Sequence, residues 1–224
     1  MNVQQGTHKF QVDVLLQDDT DVSVQSGAKL EFNNDLHLNG NTLTKTGSGE
    51  IALNNAVISG GGSFVCGGGI CSGTTLLAGS MASVGAVVSP GSGIGAMQVN
   101  GDFSPDAEST LLVEIGGTRA IHEHDLLAVG GVLAADGTLE VILVGDFAPT
   151  AGDQFDVLAF STIVGEFSLD LPVLSGSLAW DVSQLYTSGA LGITAIPEPG
   201  TLATTLLGLF TLSLYKKRKG TRRD

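Results

Sequence analysis

Leu43-Thr44-Lys45-Thr46-Gly47-Ser48-Gly49-Glu50-Ile51-Ala52-Leu53 is the stretch on which the fold turns. Ile51 and Leu53 stand two residues apart, as side chains on one face of a strand do, and Gly47-Ser48-Gly49 before them is turn chemistry. The same grammar runs outward in both directions. Val22/Val24, Leu30/Phe32, Leu36/Leu38, Val57, Phe64, Leu76/Leu77, Val87 and Met97/Val99 are short apolar groups, and Asn39-Gly40 and Gly60-Gly61-Gly62 interrupt them. Before residue 200 no stretch sustains apolar residues at helical spacing, so the body reads as all-β. Strands at roughly ten-residue spacing suit a parallel β-solenoid, whose coils share faces with their neighbours, and an antiparallel sandwich equally well.

Composition agrees with short strands and tight turns. Glycine supplies 32 of 224 residues, about twice the usual share, while charged residues are only 15%. The charge is divided unevenly. Lys216, Lys217, Arg218, Lys219, Arg222 and Arg223 crowd the last nine positions. Residues 1–200 hold only Lys9, Lys29, Lys45 and Arg119 against 22 acids, a formal charge of −18. A nucleic-acid partner is excluded on that ground, because phosphate binding depends on clustered Lys and Arg. So acidic a body stays soluble and could attract divalent cations loosely.

From about residue 101 the strands lengthen. Leu111-Leu112-Val113-Glu114-Ile115, Leu126-Leu127-Ala128-Val129, Leu139-Glu140-Val141-Ile142-Leu143 and Phe155-Asp156-Val157-Leu158-Ala159-Phe160 are full enough to need burial on both faces or a cap over one. The chain is therefore expected to divide into repeats over 1–100, a C-terminal β region or cap over 101–195, and a distinct tail over 196–224. A separate small sandwich is the alternative for the middle part.

Potential ligands are few. His122-Glu123-His124-Asp125 is the densest group, and on a strand His122 and His124 would share a face and could grip a transition metal. With no third ligand identifiable, a solvated loop between strands is the favoured reading, and neither a metal nor a cofactor is assigned. Asp18-Asp19-Thr20-Asp21 lacks the pattern of a dedicated calcium loop and reads as a charged turn. Cys66 and Cys71 flank Gly67-Gly68-Gly69-Ile70, a segment flexible enough to permit a small disulfide, which an exported location would favour. Two cysteines alone do not make a zinc site. No catalytic constellation emerges, although plentiful carboxylates leave a polysaccharide hydrolase open.

The end of the chain is the most specific segment. Pro197-Glu198-Pro199 precedes an uncharged run over 201–215, and the basic cluster follows. The prolines prevent a helix from extending back through them, so one can begin just after Pro199. Fifteen helical residues span roughly 22 Å, and Tyr215 with the lysines can make up the remaining hydrocarbon thickness by snorkelling. By the positive-inside bias the basic cluster stays cytoplasmic, which puts the body on the far side. A tail-anchored cytoplasmic protein would run against that bias. The three parts in this order resemble the PEP-CTERM sorting signal of Gram-negative bacteria. The resemblance implies recognition and cleavage near Pro197-Glu198-Pro199 by a membrane-embedded exosortase. It also implies release or transfer of the body to the cell surface, in association with extracellular polysaccharide and biofilm. Export of that kind requires an N-terminal signal, yet Met1 to Thr20 has no basic stretch followed by an apolar one. Gly6-Thr7-His8-Lys9-Phe10 already reads as mid-domain strand, so the repeats are expected to be truncated at their N-terminus.

A second resemblance separates solenoid from sandwich. The opening stretch, 43–53, resembles an autotransporter-associated β-strand repeat, as does Val88-Ser89-Pro90-Gly91 leading to Met97, Val99, Gly101 and Phe103. Asp125, Gly137-Thr138-Leu139 and Ala151-Gly152-Asp153-Gln154-Phe155 resemble the C-terminal part of passenger-like proteins that carry the same tail. The expectation is then a glycine-rich parallel β-solenoid followed by one short transmembrane helix. Its expected role is a structural or adhesive protein of the cell surface or matrix, with a polysaccharide-active or a glycan- or metal-binding surface protein as the alternative.

Overall fold

The structure is a computed structural model and describes residues 1–197. It is all-β: a large parallel sheet of 19 strands and a three-stranded antiparallel sheet, with no helix among the described residues. Glu198, Pro199, the expected membrane helix over 201–215 and the basic cluster Lys216–Lys219, Arg222 and Arg223 lie outside the described residues, and among those described no helix is long and apolar enough to cross a membrane.

The parallel sheet resolves into three ladders, visited in turn on each circuit of the chain, a β-solenoid-like arrangement. The first contains Thr20–Val24 and Thr42–Thr46, the second Lys29–Phe32 and Glu50–Leu53, and the third Leu36–His37 and Val57–Ser59. Ser63–Gly73 and Ser80–Pro90 run from the first ladder into the second, and Leu126–Ala135 and Leu158–Gly165 run from the third into the first. On the second ladder the aligned positions Thr7, Lys29, Glu50, Ile70 and Val87 give circuits of 22, 21, 20 and 17 residues. Thr110, Thr138 and Ser168 then extend them to 23, 28 and 30. Residue 100 falls inside a circuit, between Ala96–Val99 and Phe103–Pro105, and all three ladders continue past it.

In-register stacking turns the period-two pattern into columns. Leu43, Phe64, Met81, Phe103 and Leu133 lie one above another on the first ladder, and Leu30, Ile51, Cys71, Val88, Leu111 and Leu139 on the second. Leu36, Ile58, Leu77, Val99 and Val129 form the third column. All of these are buried, and each fully buried side chain of this size contributes about 1.5–3 kcal/mol. Two of the apolar groups point the other way: Val57 and Val87 face outward, and their neighbours Ile58 and Val88 fill the core. Adjacent apolar residues conceal which one turns inward, because a slip of one residue exchanges the faces. Of the longer strands expected after residue 101, Thr110–Ile115, Leu126–Ala135 and Thr138–Leu143 largely alternate, whereas 155–160 is divided between Gln154–Asp156 and Leu158–Gly165, with Val157 and Leu158 both buried. Leu111, Val113 and Ile115 are buried, while Leu112 and Glu114 are half-buried, so the alternating strands are not covered on both faces.

Gln154–Asp156, Ala190–Ala195 and Leu178–Asp181 form the antiparallel sheet. It packs on the last circuit: the Gly189 carbonyl accepts the Val157 and Leu158 N–H groups at 3.0 Å, and the Tyr186 hydroxyl accepts the Phe167 N–H at 3.0 Å.

Candidate functional site

A parallel stack must satisfy the backbone at its corners, where the chain leaves one face for the next, and here side-chain carboxylates do so between circuits. Asp19 accepts the Thr42 N–H (2.8 Å), Asp35 that of Val57 (3.1 Å), Asp106 that of Gly85 (2.9 Å) and Asp102 that of Val132 (2.8 Å). Part of the acidic composition is therefore structural. Asp19 belongs to this set, and the run read as a charged turn is one only at Asp18-Asp19, since Thr20 and Asp21 open the strand Thr20–Val24.

One corner, between the first and second ladders, differs from the rest of the interior because a polar column runs through it. Lys45 is fully buried between the aligned Val22 and Cys66, and its ammonium donates to the carbonyls of Gly47 (2.8 Å) and Gly68. Burial pushes its pKa down to about 8, against the pull of the Glu50 carboxylate. In the next circuit Cys66 and Cys71, both fully buried, are joined by a disulfide that spans the corner with a Cα–Cα distance of 6.3 Å. One circuit further on, the Ser83 hydroxyl donates to Ser109 Oγ (2.9 Å), which donates to Asp106 Oδ1 (2.6 Å). Three successive circuits thus close the same corner by an ammonium, a covalent bond and a hydroxyl relay.

The segment 116–125 is the excursion from the second ladder to the third. Its reading as a solvated loop holds for His122, which is exposed, and fails for His124 and Asp125, which are 1% and 0% exposed. The exposed pair Arg119–Glu123 (2.8 Å) closes the loop outside, so its inner residues turn into the protein. Nδ1 of His124 bonds the Gly117 carbonyl (3.0 Å), which requires a proton on Nδ1. Its ring meets Phe155 edge-on at 5.7 Å, and Nε2 has no hydrogen-bond partner. His122 and His124 consequently do not share a face, and no metal-holding group of three or more His, Cys, Asp or Glu occurs among the described residues. Asp125 accepts the Gly95 N–H from the preceding circuit (2.7 Å) and the Glu114 N–H (2.9 Å). Burial raises its carboxyl to about 7; the two donors oppose the rise and the Glu114 charge adds to it.

The exterior of the second ladder carries a shallow groove of about 330 Å³ with Ile70, Val87 and Leu112 on its floor and Glu50, Ser72 and Glu114 among its polar lining. Glu50 pairs with Lys29 (2.9 Å) and accepts the Ser72 hydroxyl (2.6 Å). Lys9 at 2.8 Å holds Glu31 below the usual carboxylate range. Sequence reasoning missed Lys45 and Ser83 because a strand lysine or serine is ordinarily outward, and Ser109 because a serine between strands is ordinarily solvated. The available signal was the phase of Lys45, two residues after the inward Leu43.

The chain matches no protein-family model, no curated protein and no solved structure.

Proposed function

We propose that this chain is an exported structural or adhesive component of a bacterial cell surface or extracellular matrix, a β-solenoid rod delivered through its C-terminal tail. The observation that carries the reading is the stapled stack: parallel ladders in register, tied between circuits by aspartates and crossed at a corner by the buried Cys66–Cys71 disulfide. A disulfide in the body of the chain fits an oxidising compartment. The tail supplies the route: Pro197-Glu198-Pro199 for an exosortase-type enzyme, residues 201–215 for the bilayer, and the basic cluster for retention on the cytoplasmic side. The test is fractionation of the native protein from its own cells with intact-mass analysis. An extracellular form ending near Pro197 supports the reading; a full-length form on the cytoplasmic face overturns it. A second reading, a glycan-binding surface, draws on the second-ladder groove, where an apolar floor lies between carboxylates and hydroxyls. It predicts that Leu112→Lys abolishes retention on immobilised polysaccharide.

A further inference from the structure

We infer that the Cys66–Cys71 corner is a redox-responsive latch that holds the Lys45 ammonium inside the stack, and that opening the disulfide releases this amine to solvent. Between the two cysteines stand Gly67, Gly68, Gly69 and Ile70, and Gly68 and Gly69 have φ of 71° and 63°. Three consecutive glycines have the largest conformational freedom a chain can have and no side chain to hold them in place. The disulfide restricts that freedom, as do the ladder bonds, such as the Ile70 N–H to the Gly49 carbonyl (3.1 Å). The ammonium lies within this loop. Its two acceptors are the carbonyls of Gly68, inside the disulfide ring, and Gly47, in the circuit before. A Cβ built on Gly69 would collide with Lys45 Nζ and with the carbonyl oxygens of Gly47 and Gly49, so two glycine turns, 47–49 and 67–69, converge on one cation.

The coupling follows from the cost of a buried charge. An ammonium is tolerated in the interior only while its acceptors are fixed, and an uncompensated one is strongly destabilising. A dithiol reductant delivers two electrons and two protons to the S–S bond, giving two cysteine thiols and the cyclic disulfide of the reductant. The glycine segment then regains its freedom, the Gly68 carbonyl ceases to be a fixed acceptor, and the Lys45 side chain swings out to water. Coupling of this kind is reciprocal: if the disulfide holds the ammonium, the ammonium also favours the disulfide. The proposed export tells where the latch would close, but the chemistry belongs to the isolated protein, so either idea can fail without the other.

The test is pulsed acetylation of the full chain in detergent with N-hydroxysuccinimidyl acetate, read by peptide mass spectrometry, with the exposed Lys9 as internal reference. With the disulfide closed, Lys45 should react at least about tenfold more slowly than Lys9. In dithiothreitol, with both thiols shown open by alkylation, and in Cys66→Ser/Cys71→Ser, that protection should disappear while amide exchange at Leu111, Val113 and Leu139 stays slow. Protection that survives opening, reactivity with the bond closed, or loss of amide protection throughout the stack would each overturn the latch. A second arm measures the reciprocal term. Lys45→Met should shift the thiol–disulfide equilibrium toward the dithiol by about tenfold, within the usual range of such couplings; an unchanged equilibrium constant sinks the proposal.

Discussion

The parallel stack and the C-terminal antiparallel sheet solve the same problem, burying one face of each strand, by different means. In the stack every inward residue sits on its counterpart one circuit away, so Phe103 lies between Met81 and Leu133, and cohesion is a sum of repeated nearest-neighbour contacts. In the terminal sheet there is no repeat to lean on. Phe155 gathers Phe147 (6.0 Å), Trp180 (6.0 Å) and His124 (5.7 Å) around itself, and the Trp180 indole N–H donates to the Pro172 carbonyl at 2.9 Å. A periodic core distributes its stability along the axis; an aromatic cluster concentrates it at one end.

The largest test of that difference is truncation of one aromatic in each region. Phe103→Ala removes a fully buried side chain and should lower stability by about 3–5 kcal/mol. Amide exchange should accelerate in the circuits on both sides of it. Trp180→Ala removes a half-buried ring, and its effect on exchange should stay within 154–195. If both substitutions loosen the same amides, the two regions are one cooperative unit and the contrast fails.

Asp125 joins the regions, since it binds two backbone donors in the stack while its neighbour His124 touches Phe155. Asp125→Asn keeps one acceptor but sets an amide N–H against a backbone N–H, so a loss of about 1–3 kcal/mol is expected in a denaturant titration. The titration should also carry a pH signature. A folded carboxyl raised to about 7 from 3.8 keeps its proton longer than the unfolded one does. Asp125 therefore contributes stability below its unfolded pKa and loses it as pH climbs toward 7. Lys45 has the opposite phase: its folded pKa of about 8 lies below 10.5, so stability should rise between pH 8 and 10.5, by at most about 3 kcal/mol, and Lys45→Met should remove the rise.

Opening Cys66–Cys71 frees a small loop, for which chain entropy gives about 2 kcal/mol, measurable as the denaturation difference between wild type and Cys66→Ser/Cys71→Ser. The smallest effect belongs to the surface. Arg119→Ala breaks an exposed ion pair at the rim of the 116–125 excursion and should move the denaturation midpoint by less than the equivalent of about 1 kcal/mol. A larger shift would show that this loop holds the stack and the terminal sheet together.

Much of the stack was legible as sequence. Leu30/Phe32, Ile51/Leu53 and Met97/Val99 are all inward, because a period of two is a property of the extended backbone itself. Where two apolar residues adjoin, as at Val57-Ile58 and Val87-Val88, the pattern is silent about the inward one, and only the register with the neighbouring circuit selects it. Of the polar corner only the Cys66–Cys71 disulfide was legible. Lys45 in Thr-Lys-Thr looks like a solvated lysine until the glycine turn of the following circuit brings the Gly68 carbonyl over it. His124 and Asp125 look like a charged loop until Gly95, 30 residues earlier, is found to donate to the carboxylate.

What the amino-acid sequence determined by itself is therefore local: alternation, the glycine and asparagine breaks, the acidic body and the composition of the tail, each a matter of one residue and its near neighbours. Only the tertiary structure decided which polar side chains are inside, that aspartates cap the backbone of a neighbouring circuit, and that a lysine and a serine pair close the corner that the Cys66–Cys71 disulfide also crosses. The physical reason is that the deciding partners, Gly68 for Lys45, Ser109 for Ser83 and the N–H groups that the aspartates cap, lie about one circuit away, and circuits vary from 17 to 30 residues, so no fixed spacing in the sequence announces them.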